Sequence, residues 1–438
     1  MPKLSLIAVL TGGVLLAATS AQAQTEVQWW HSMTGALGDR VTEIATGFNA
    51  SQTDYRVVPV YKGSYPESMT AAIAAFRAGN APHILQVFEV GTATMMSAPG
   101  AIKPVYQLMQ EAGEKFDPKA YVSAVAGYYT DRKGRMLSMP FNSSTTVFYV
   151  NKDAFRKAGL DPNKAPTTWK EFGITAGKLK ASGQSCVYTT GWPSWVHVEN
   201  FSAWHNLPLS DNDNGLAAPA TAMKINSPAH VAHIGMLGDF AKNGWFTYAG
   251  RKNEAEAKFF SGECAMLTSS SAALANIRKN AKFDFSVNML PYQDSLVASP
   301  QNSIIGGASL WVLSGKKAPE YKGVAKFFTY LSQSALQADW HQKTGYVPIT
   351  NAAAELTKKS GYYDKNPGAD IAVRQLNFKT PTGNSRGLRF GNFVQGREAI
   401  EEELEAVFAG KKDAKIALDA AVSRNNELLR RFAQTAKE

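Results

Sequence analysis

Short apolar runs alternate with amphipathic stretches through the first third of the chain. Val27–Trp30, Tyr55–Tyr61 and His83–Phe88 are brief runs rich in branched and aromatic side chains, which is typical of strands. Between them, apolar residues recur at helical spacing over residues 37–48 and again over residues 69–76. This β-α-β-α-β rhythm predicts a parallel sheet covered by helices.

Polar and aromatic side chains follow each of these three predicted strands. The first strand runs into Trp30–Ser32, the second into Lys62–Tyr65, and the third into Glu89. Ligands of open parallel sheets sit beyond the carboxyl ends of the strands, so the three junctions should lie at one edge. Ordinary loop chemistry explains any single junction, whereas three at one sheet edge favour a binding site.

The pattern of strands and helices restarts after Pro140. A second group of elements follows, and the C-terminal region is helical through residues 400–408 and 416–432. We predict strands at Thr145–Val150, Cys264–Thr268, Phe285–Leu290 and Ile304–Val312, and helices at Trp169–Leu179, at 228–243 with Ser227 as N-cap, and at Ala272–Arg278.

Two local features in this second half suggest contact with a ligand. Ser269–Ser271 precede a predicted helix, where hydroxyls and free backbone N–H groups can hold an anion, although helix capping also explains Ser270. Gly306 and Gly307 interrupt a strand pattern, which indicates either close backbone approach to a ligand or a bulge.

The first 23 residues have the pattern of a cleavable export signal. Lys3 precedes an apolar run over residues 4–18, and Ala21–Ala23 supplies the small residues that signal peptidase reads. The apolar run is shorter than the roughly 20 residues that span a bilayer. We therefore expect cleavage after Ala23 and a periplasmic mature chain.

The length and the charge of the chain indicate how many domains it has and which partners it is not suited to bind. The 438-residue chain is too long for a single core of the usual size, which predicts two domains. Hydrophobic residues make up 45% and charged residues 19%, as in globular proteins. The formal net charge is +10, but the cations are spread along the chain instead of forming a stripe, which argues against nucleic acid as a partner.

The chain contains two cysteines, Cys186 and Cys264. In an oxidising compartment the pair is compatible with one disulfide. Two buried free thiols are the alternative, and the sequence leaves both open.

The sequence lacks the motifs that carry common catalytic chemistry. It contains no Walker-type phosphate loop, no G-x-G-x-x-G motif and no G-x-S-x-G elbow. His230 and His233 lie three apart on a predicted helix without an accompanying zinc motif, which favours a packing or surface position. Residues 210–215 are similar to a calcium loop, yet Thr221 stands where the chelating glutamate belongs, so we predict a polar surface turn.

An aromatic cluster contains Trp192, Trp195, Phe201 and Trp204. Core packing explains the last three. Trp192 lies in a Gly-Trp-Pro setting, which places it in a loop or at a helix start and favours a cleft wall. Aromatic faces suit the C–H faces of polyols and quaternary ammonium groups.

Longer motifs carry a family resemblance. Residues 139–153 resemble the first hinge and following strand of solute-binding proteins of ABC importers of the maltose-binding type, and Leu290–Tyr292 resembles the return crossing. Within that family, further motifs across the mature chain are similar to those of periplasmic glycerol-3-phosphate-binding proteins: Trp30–Met33, Tyr61–Gly63, Glu89–Met96, Ile304–Trp311 and Trp340–Tyr346.

The resemblance implies a two-lobed α/β periplasmic binding protein fold of type II. Each lobe is then a mainly parallel sheet flanked by helices, with hinge crossings between the lobes. The N-terminal lobe would contain residues 24–138 and about 292–335, and the C-terminal lobe residues 139–291 and about 336–438.

The resemblance also implies a ligand site. Its expected members are Tyr65, Glu89, Ser144, Ser270, Gly307, Tyr346 and Arg397, with Trp192 and Trp195 lining the cleft. In this hypothesis Arg397 takes phosphate oxygens through its planar fork, hydroxyl groups donate to the same oxygens, and Glu89 accepts from glycerol hydroxyls. No motif of the family is evident in Thr380–Arg389.

The implied function is capture of sn-glycerol 3-phosphate, and of glycerophosphodiesters such as glycerophosphocholine, by hinge closure. The expected partners are the membrane permease subunits of an ABC importer with its cytoplasmic ATPase, and the expected state is a monomer without cofactor or metal. Two alternatives remain open at this point: a sugar or oligosaccharide receptor of the same fold, and a periplasmic glycerophosphodiesterase.

Overall fold

A computed structural model describes residues 24–436, so the expected export signal and its cleavage site lie outside the described residues. The described chain forms two sheets and many helices. The strands are β1 (Thr25–His31), β2 (Tyr55–Tyr61), β3 (Ile84–Phe88), β4 (Ile102–Lys103), β5 (Met139–Ser144), β6 (Thr146–Asn151), β7 (Cys186–Thr190), β8 (Cys264–Ser270), β9 (Phe285–Asn288) and β10 (Gly306–Leu313).

The helices lie between and after these strands. They are α1 (Gly35–Ser51), α2 (Tyr65–Arg77), α3 (Thr92–Met96), α4 (Val105–Glu111), α5 (Ser123–Tyr129), α6 (Lys152–Lys157), α7 (Trp169–Ala181), α8 (Phe201–Trp204), α9 (Asp211–Asn214), α10 (Pro228–Lys242), α11 (Glu254–Phe260), α12 (Ala273–Asn280), α13 (Ala318–Leu331), α14 (Ser334–Thr344), α15 (Asn351–Lys359), α16 (Tyr362–Lys365), α17 (Ile371–Leu376), α18 (Phe393–Phe408) and α19 (Ala414–Thr435). Among residues 24–436, no helix combines the length and the apolarity needed to cross a bilayer.

The first sheet contains the predicted N-terminal strands. Its order is β2-β1-β3-β10-β4, with β5 also paired to β10. β1 runs parallel to β2 and β3, as the alternation of strands and helices predicts. β10 runs antiparallel to β3, β4 and β5. The second sheet has the order β7-β8-β6-β9, in which only the β7–β8 pair is parallel.

The prediction of mainly parallel sheets is therefore wrong, although the two-lobed α/β class is confirmed. Parallel pairing needs a crossover connection, usually a helix, between neighbouring strands. The first three strands have such connections, whereas β10 returns to the first sheet from the second. A strand that arrives from another sheet is free to pair in the opposite direction.

The chain passes between the two sheets at two places. β5 belongs to the first sheet and β6 to the second, so the first passage is at Thr145. The second passage lies between β9 and β10. The residue bounds of the two lobes stay a prediction.

Local signals set the ends of several elements. β2 has the predicted bounds, Tyr55–Tyr61. α10 begins with Pro228, and the Ser227 hydroxyl accepts from the backbone N–H of His230 at 3.5 Å. Gly244 follows this helix with a φ of 67°, a backbone conformation that glycine adopts without steric penalty.

Cys186 and Cys264 form a disulfide, which decides between the two alternatives that the sequence left open. The two residues face each other in the register of the parallel strands β7 and β8, with 4.4 Å between their Cα atoms. The disulfide therefore cross-links two neighbouring strands of the second sheet.

Candidate ligand-binding site

A cavity of about 360 Å³ lies between elements of the two sheets. Its wall contains all nine residues that the sequence proposed: Tyr65, Glu89, Ser144, Trp192, Trp195, Ser270, Gly307, Tyr346 and Arg397. Their individual roles toward a ligand stay predictions. The described structure also brings residues into this wall that the sequence did not identify, Lys252 and Glu256 among them.

The carboxyl ends of β1, β2 and β3 contribute one side of the cavity, through Ser32, Tyr65 and Glu89. Tyr65 is the first residue of α2, and Ser64 is its N-cap. The backbone N–H of Ser64 donates to the Glu67 carboxylate at 2.7 Å, which completes a capping box. The Tyr65 ring stacks on Phe88, with 5.1 Å between ring centroids. The strand ends therefore meet at one edge, as the sequence predicts.

Two polar residues of the same junctions have other partners. The Lys62 ammonium lies 4.2 Å from the centroid of the Trp30 ring, in a cation–π contact. His31 is buried, and its Nδ1 accepts from the backbone N–H of Met33 at 3.2 Å. Neither residue is part of the cavity wall.

The glycine pair of β10 allows close approach within the protein. A Cβ at Gly306 would overlap the Trp195 ring, and a Cβ at Gly307 would overlap the carbonyl oxygen of Asn142. Gly307 also has a φ of 98°, and the β5–β10 register shifts just beyond it. The bulge is confirmed, whereas close approach of this backbone to a ligand stays a prediction.

Trp192 and Trp195 form an aromatic wall. Trp192 is half-buried and has a φ of 52°, the left-handed region that costs about 1–2 kcal/mol for a non-glycine residue. The backbone N–H of Trp192 donates to the Lys252 carbonyl, and the backbone carbonyl of Trp192 accepts from the Val196 amide, each at 2.9 Å. Such strain persists where the surroundings enforce it, often at binding sites. Phe201 and Trp204 are core residues, as predicted.

Arg397 lies at the base of the cavity, on α18, with 8% of its side chain exposed. Its Nη2 donates to Glu89 at 2.7 Å and to Glu199 at 2.6 Å, and its Nε donates to Glu199 at 2.8 Å. Burial opposes the charge, but Glu199 and Glu89 outweigh it and raise the pKa of Arg397 above its usual value. This bidentate pair with Glu199 was not predicted.

Glu199 could have been noticed in the sequence. It is the one carboxylate in the stretch between Trp195 and Trp204, which is rich in aromatic and apolar residues, and a buried carboxylate there needs a partner. The structure places this stretch in a π-helical turn, Trp195–Asn200, and Glu199 is completely buried there. Turns of this kind are frequent at functional sites.

Burial changes the protonation of the nearby acids. It raises the pKa of Glu89, against the lowering effect of Arg397. It also raises the pKa of Glu401 to about 8. Glu401 lies one turn after Arg397 on α18 and accepts from the Ser194 amide at 3.0 Å through Oε1, while its buried Oε2 has no partner among the described residues.

The hydroxyl groups of the cavity are uncharged. Burial raises the pKa values of Tyr65 and Tyr346 above that of an exposed tyrosine. The Ser270 hydroxyl accepts from the amide of Ala272 at 3.1 Å, just before α12. Ser270 therefore stabilises the turn before α12, although Ala272 and not Ser270 is the N-cap of that helix, and it also lines the cavity. Its contact with an anion stays a prediction.

The two weak metal patterns of the sequence have structural explanations. His230 and His233 are buried in α10, and His233 stacks on Phe201 with ring centroids 4.0 Å apart. Asn212 and Asp213 have left-handed backbone angles in a short turn. Within residues 24–436, no group of three or more acidic, histidine or cysteine side chains has an arrangement that could hold a metal ion.

Sequence comparison assigns this chain to a known family. Residues 43–369 match the family described as bacterial extracellular solute-binding protein. The sn-glycerol-3-phosphate-binding periplasmic protein UgpB of Pectobacterium atrosepticum is 54% identical over 423 residues, covering 96% of this chain and 95% of that protein. The UgpB of Salmonella typhimurium is 54% identical over 418 residues, covering 95% of each.

Solved structures share the fold. UgpB from Mycobacterium tuberculosis, in complex with glycerophosphocholine, has a TM-score of 0.77 at 22% identity, covering 93% of this chain and 99% of that one. Maltose-bound MalE3 of T. maritima has a TM-score of 0.75 at 16% identity, covering 92% and 100%. The chain therefore belongs to the bacterial extracellular solute-binding proteins, a family whose role is binding and not catalysis.

Proposed function

We propose that this protein is the periplasmic substrate-binding component of an ABC importer and captures sn-glycerol 3-phosphate, with glycerophosphocholine as a further ligand. The observation that carries the proposal is 54% identity to periplasmic proteins named for sn-glycerol 3-phosphate, across 95% of their length. In the same proposal the chain is cleaved after Ala23, works as a monomer, binds no nucleic acid and delivers its ligand to the membrane permease.

Arg397 is the proposed contact for phosphate, but only some of the nitrogen atoms of its guanidinium group are available for that contact. Nε and Nη2 already donate to Glu199 and Glu89, so Nη1 is the edge available to a phosphate oxygen. The carboxylates hold the guanidinium in place, and a charge-assisted hydrogen bond from a fixed donor is stronger than a neutral one. The remaining phosphate oxygens would accept from the hydroxyls of Ser144, Ser270, Tyr65 and Tyr346 and from the Gly307 amide.

The organic part of the ligand would lie toward Glu89 and the tryptophans. Glu89 uses Oε1 for Arg397, which leaves its second oxygen for a glycerol hydroxyl. Trp192 and Trp195 offer ring faces to the C–H groups of glycerol or to the quaternary ammonium of choline. Hydrogen bonds to charged groups contribute roughly 1.5–3 kcal/mol each, and a few of them support micromolar or tighter binding.

Contacts across the mouth of the cavity support closure on the ligand. The Lys252 ammonium donates to the Ser64 hydroxyl at 3.0 Å, and the Ala36 amide donates to Asn276 at 3.2 Å. Lys279 forms an ion pair with Asp39 at 3.0 Å. α12 and the segment before α11 thus touch the starts of α1 and α2, and these contacts would form when a hinge closes.

Calorimetric titration with sn-glycerol 3-phosphate, glycerophosphocholine and maltose tests the proposal. We expect the two phosphate esters to bind and maltose not to. Arg397→Lys keeps a cation but loses the planar fork, and should weaken phosphate-ester binding more than tenfold. Arg374→Lys, at an exposed arginine of α17, is the matched control and should bind like the parent.

Other outcomes identify the alternatives. Binding of maltose without binding of either phosphate ester would indicate a sugar receptor of the same fold. Release of choline or free glycerol phosphate from glycerophosphocholine by the pure protein would indicate a phosphodiesterase. Either result contradicts the proposed function.

A further inference from the structure

Glu256 is a buried carboxyl group in the cavity wall that no mechanism described above uses. It lies on α11 and is 5% exposed. The Ser269 hydroxyl donates to its Oε1 at 2.9 Å. Among the ion pairs of residues 24–436, none includes Glu256, whereas the other buried cavity carboxylate, Glu89, is paired with Arg397.

The nearby cations have other partners. On α12, Arg278 donates to the Tyr362 hydroxyl at 2.9 Å and Lys279 pairs with Asp39. Lys252, which precedes α11, donates to Ser64. Lys258 on the same helix pairs with Glu263 at 2.7 Å. Arg251, which precedes Lys252, pairs with Glu405 at 2.6 Å. None of these described cations therefore forms an ion pair with Glu256.

The other titratable groups that face Glu256 do not supply a positive charge. Tyr149 of β6 and Tyr346 both interact electrostatically with it, and burial keeps both phenols neutral. From β7, Tyr188 bonds to Thr268 and is also neutral. Glu254 on the same helix adds a like charge.

The charge balance of the cavity conflicts with an ionised Glu256. The positive charge of Arg397 already faces Glu89 and Glu199. The other cation of the wall, Lys252, lines it together with the acids Glu67 and Glu254. An ionised Glu256 would add a negative charge to a wall that, under the proposed function, receives a phosphate anion. Like charges at close range in a buried site repel strongly.

We infer that Glu256 is a further ligand-contacting residue, which binds a phosphate-ester anion as the neutral acid and donates its O–H to a phosphate oxygen. The inference rests on the proposed function and deepens it. The proton comes from bulk solvent when the free carboxylate is ionised, so ligand capture takes up a proton. A carboxylate can only accept hydrogen bonds, whereas its acid is also a donor.

The protonation of the free site sets the pH range of this coupling. Burial, against the Ser269 hydrogen bond, raises the pKa of Glu256 to about 7. Below that pH the free site already carries the proton, and above it binding must add one. The apparent Kd should therefore be flat below pH 7 and rise about tenfold per pH unit above it.

Glycerophosphocholine is the sharpest probe, because a phosphodiester keeps one negative charge from pH 6 to pH 9 and contributes no proton of its own. Titration calorimetry at pH 8 in Tris and in HEPES, whose ionisation enthalpies differ, measures the protons taken up. We expect nearly one proton for each bound ligand. With sn-glycerol 3-phosphate the same uptake is expected above pH 7.5, where its phosphate is a dianion.

Two variants assign the proton to Glu256. Glu256→Gln keeps a donor without an ionisation, so it should bind with no proton uptake and a Kd that does not change from pH 6 to pH 9. Ser269→Ala removes the hydrogen bond that stabilises the carboxylate, so the loss of affinity should begin at a higher pH. Glu263→Gln, at an exposed glutamate beyond the same helix, should keep the parental pH dependence.

The outcomes separate this inference from the proposed function. If the parent protein binds neither phosphate ester, the proposed function fails. If the parent binds them without proton uptake at pH 8, or if Glu256→Gln retains the parental uptake, the inference alone is overturned. The parental measurement decides this even if the glutamine variant does not fold.

Discussion

Two groups of buried titratable side chains in this protein differ in their charge. The arginine cluster, at the base of the cavity, consists of Arg397, Glu89, Glu199 and Glu401. The histidine cluster, in the second sheet and its helices, consists of His197, His205, His230 and His233. Both are almost completely buried, so burial alone does not explain the difference.

The histidine cluster is uncharged because it contains no acid. His197 bonds to His233 at 3.2 Å, and the hydroxyls of Ser202 and Ser227 each lie 2.7 Å from a ring nitrogen of His230. Burial lowers the pKa of His197 to about 3. The same cause lowers the pKa values of His205 and His230 to about 4.

The arginine cluster keeps its charge because opposite charges lie within hydrogen-bonding distance. The guanidinium has carboxylate oxygens at 2.6, 2.7 and 2.8 Å. A buried charge is tolerated only when it is paired and hydrogen-bonded. The comparison shows that the protein keeps a buried charged group, Arg397, at the cavity. In the histidine cluster, where the side chains only pack, the buried polar contacts are between neutral groups.

Acid should produce the largest effect and should act through the histidine cluster, together with His31 and His341, whose pKa values burial also lowers to about 4. The unfolded chain protonates histidine near pH 6.5, whereas the folded cluster stays neutral to about pH 4. Stability is therefore lost as the pH falls through 6.5, by about 1.4 kcal/mol per pH unit for each histidine. For His197, His205 and His230 at pH 4.5 this is on the order of 8 kcal/mol, comparable to the stability of a whole domain.

Urea unfolding between pH 7 and pH 4.5 measures this loss, and His205→Gln assigns it. The variant should reduce the slope of stability against pH by about one proton. Thr53→His adds an exposed histidine that titrates alike in both states, so its slope should equal that of the parent. A His205→Gln slope equal to the parental slope would contradict the neutral cluster.

Removing the positive charge from the arginine cluster should produce the next largest effect. Arg397→Met leaves Glu89 and Glu199 as buried carboxylates without a counter-charge, which costs about 3–5 kcal/mol. The loss should be smaller at pH 5 than at pH 8, because Glu89, whose pKa is raised by burial, can then take up a proton. Urea unfolding at the two pH values measures the difference.

A second substitution separates charge from packing at this position. Arg397→Met with Glu199→Gln removes one stranded charge and should recover part of the lost stability. If the double variant is no more stable than the single one, the loss is due to packing and not to unpaired charge.

Glu401→Gln should change the stability in the opposite direction, favourably. The unfolded chain ionises this group near pH 4.5, whereas the folded protein keeps the acid neutral to about pH 8. The contribution of Glu401 to stability is therefore most favourable below pH 4.5 and is lost as the pH rises toward 8. A glutamine has no such loss, so the variant should be more stable than the parent at pH 8, by up to about 4 kcal/mol at about 1.4 kcal/mol per pH unit.

The pH dependence provides the check on this prediction. The advantage of Glu401→Gln should shrink as the pH falls and disappear near pH 5, in the same urea unfolding assay. An advantage that does not depend on pH would mean that the folded protein ionises Glu401 normally.

Much of the local structure followed from neighbours in the sequence. The bounds of β2, the N-cap of α10 at Ser227 and the meeting of strand ends at the cavity were all predicted. Periodicity, capping and turn chemistry act over a few residues, so one stretch of sequence contains the whole signal. Site residues in such junctions, Tyr65 and Glu89, were therefore accessible from spacing.

The partners that decide charge and topology lie far apart in the chain. Arg397 is 308 residues from Glu89 and 198 from Glu199, and no spacing rule joins them. Local sequence patterns likewise could not predict the mixed direction of the sheets, the Cys186–Cys264 bond or the lack of an ion pair at Glu256. The sequence by itself determined which segments become strands and helices and which residue types end them. Only the tertiary structure decided which charges face each other, because burial and counter-charge depend on how distant segments pack.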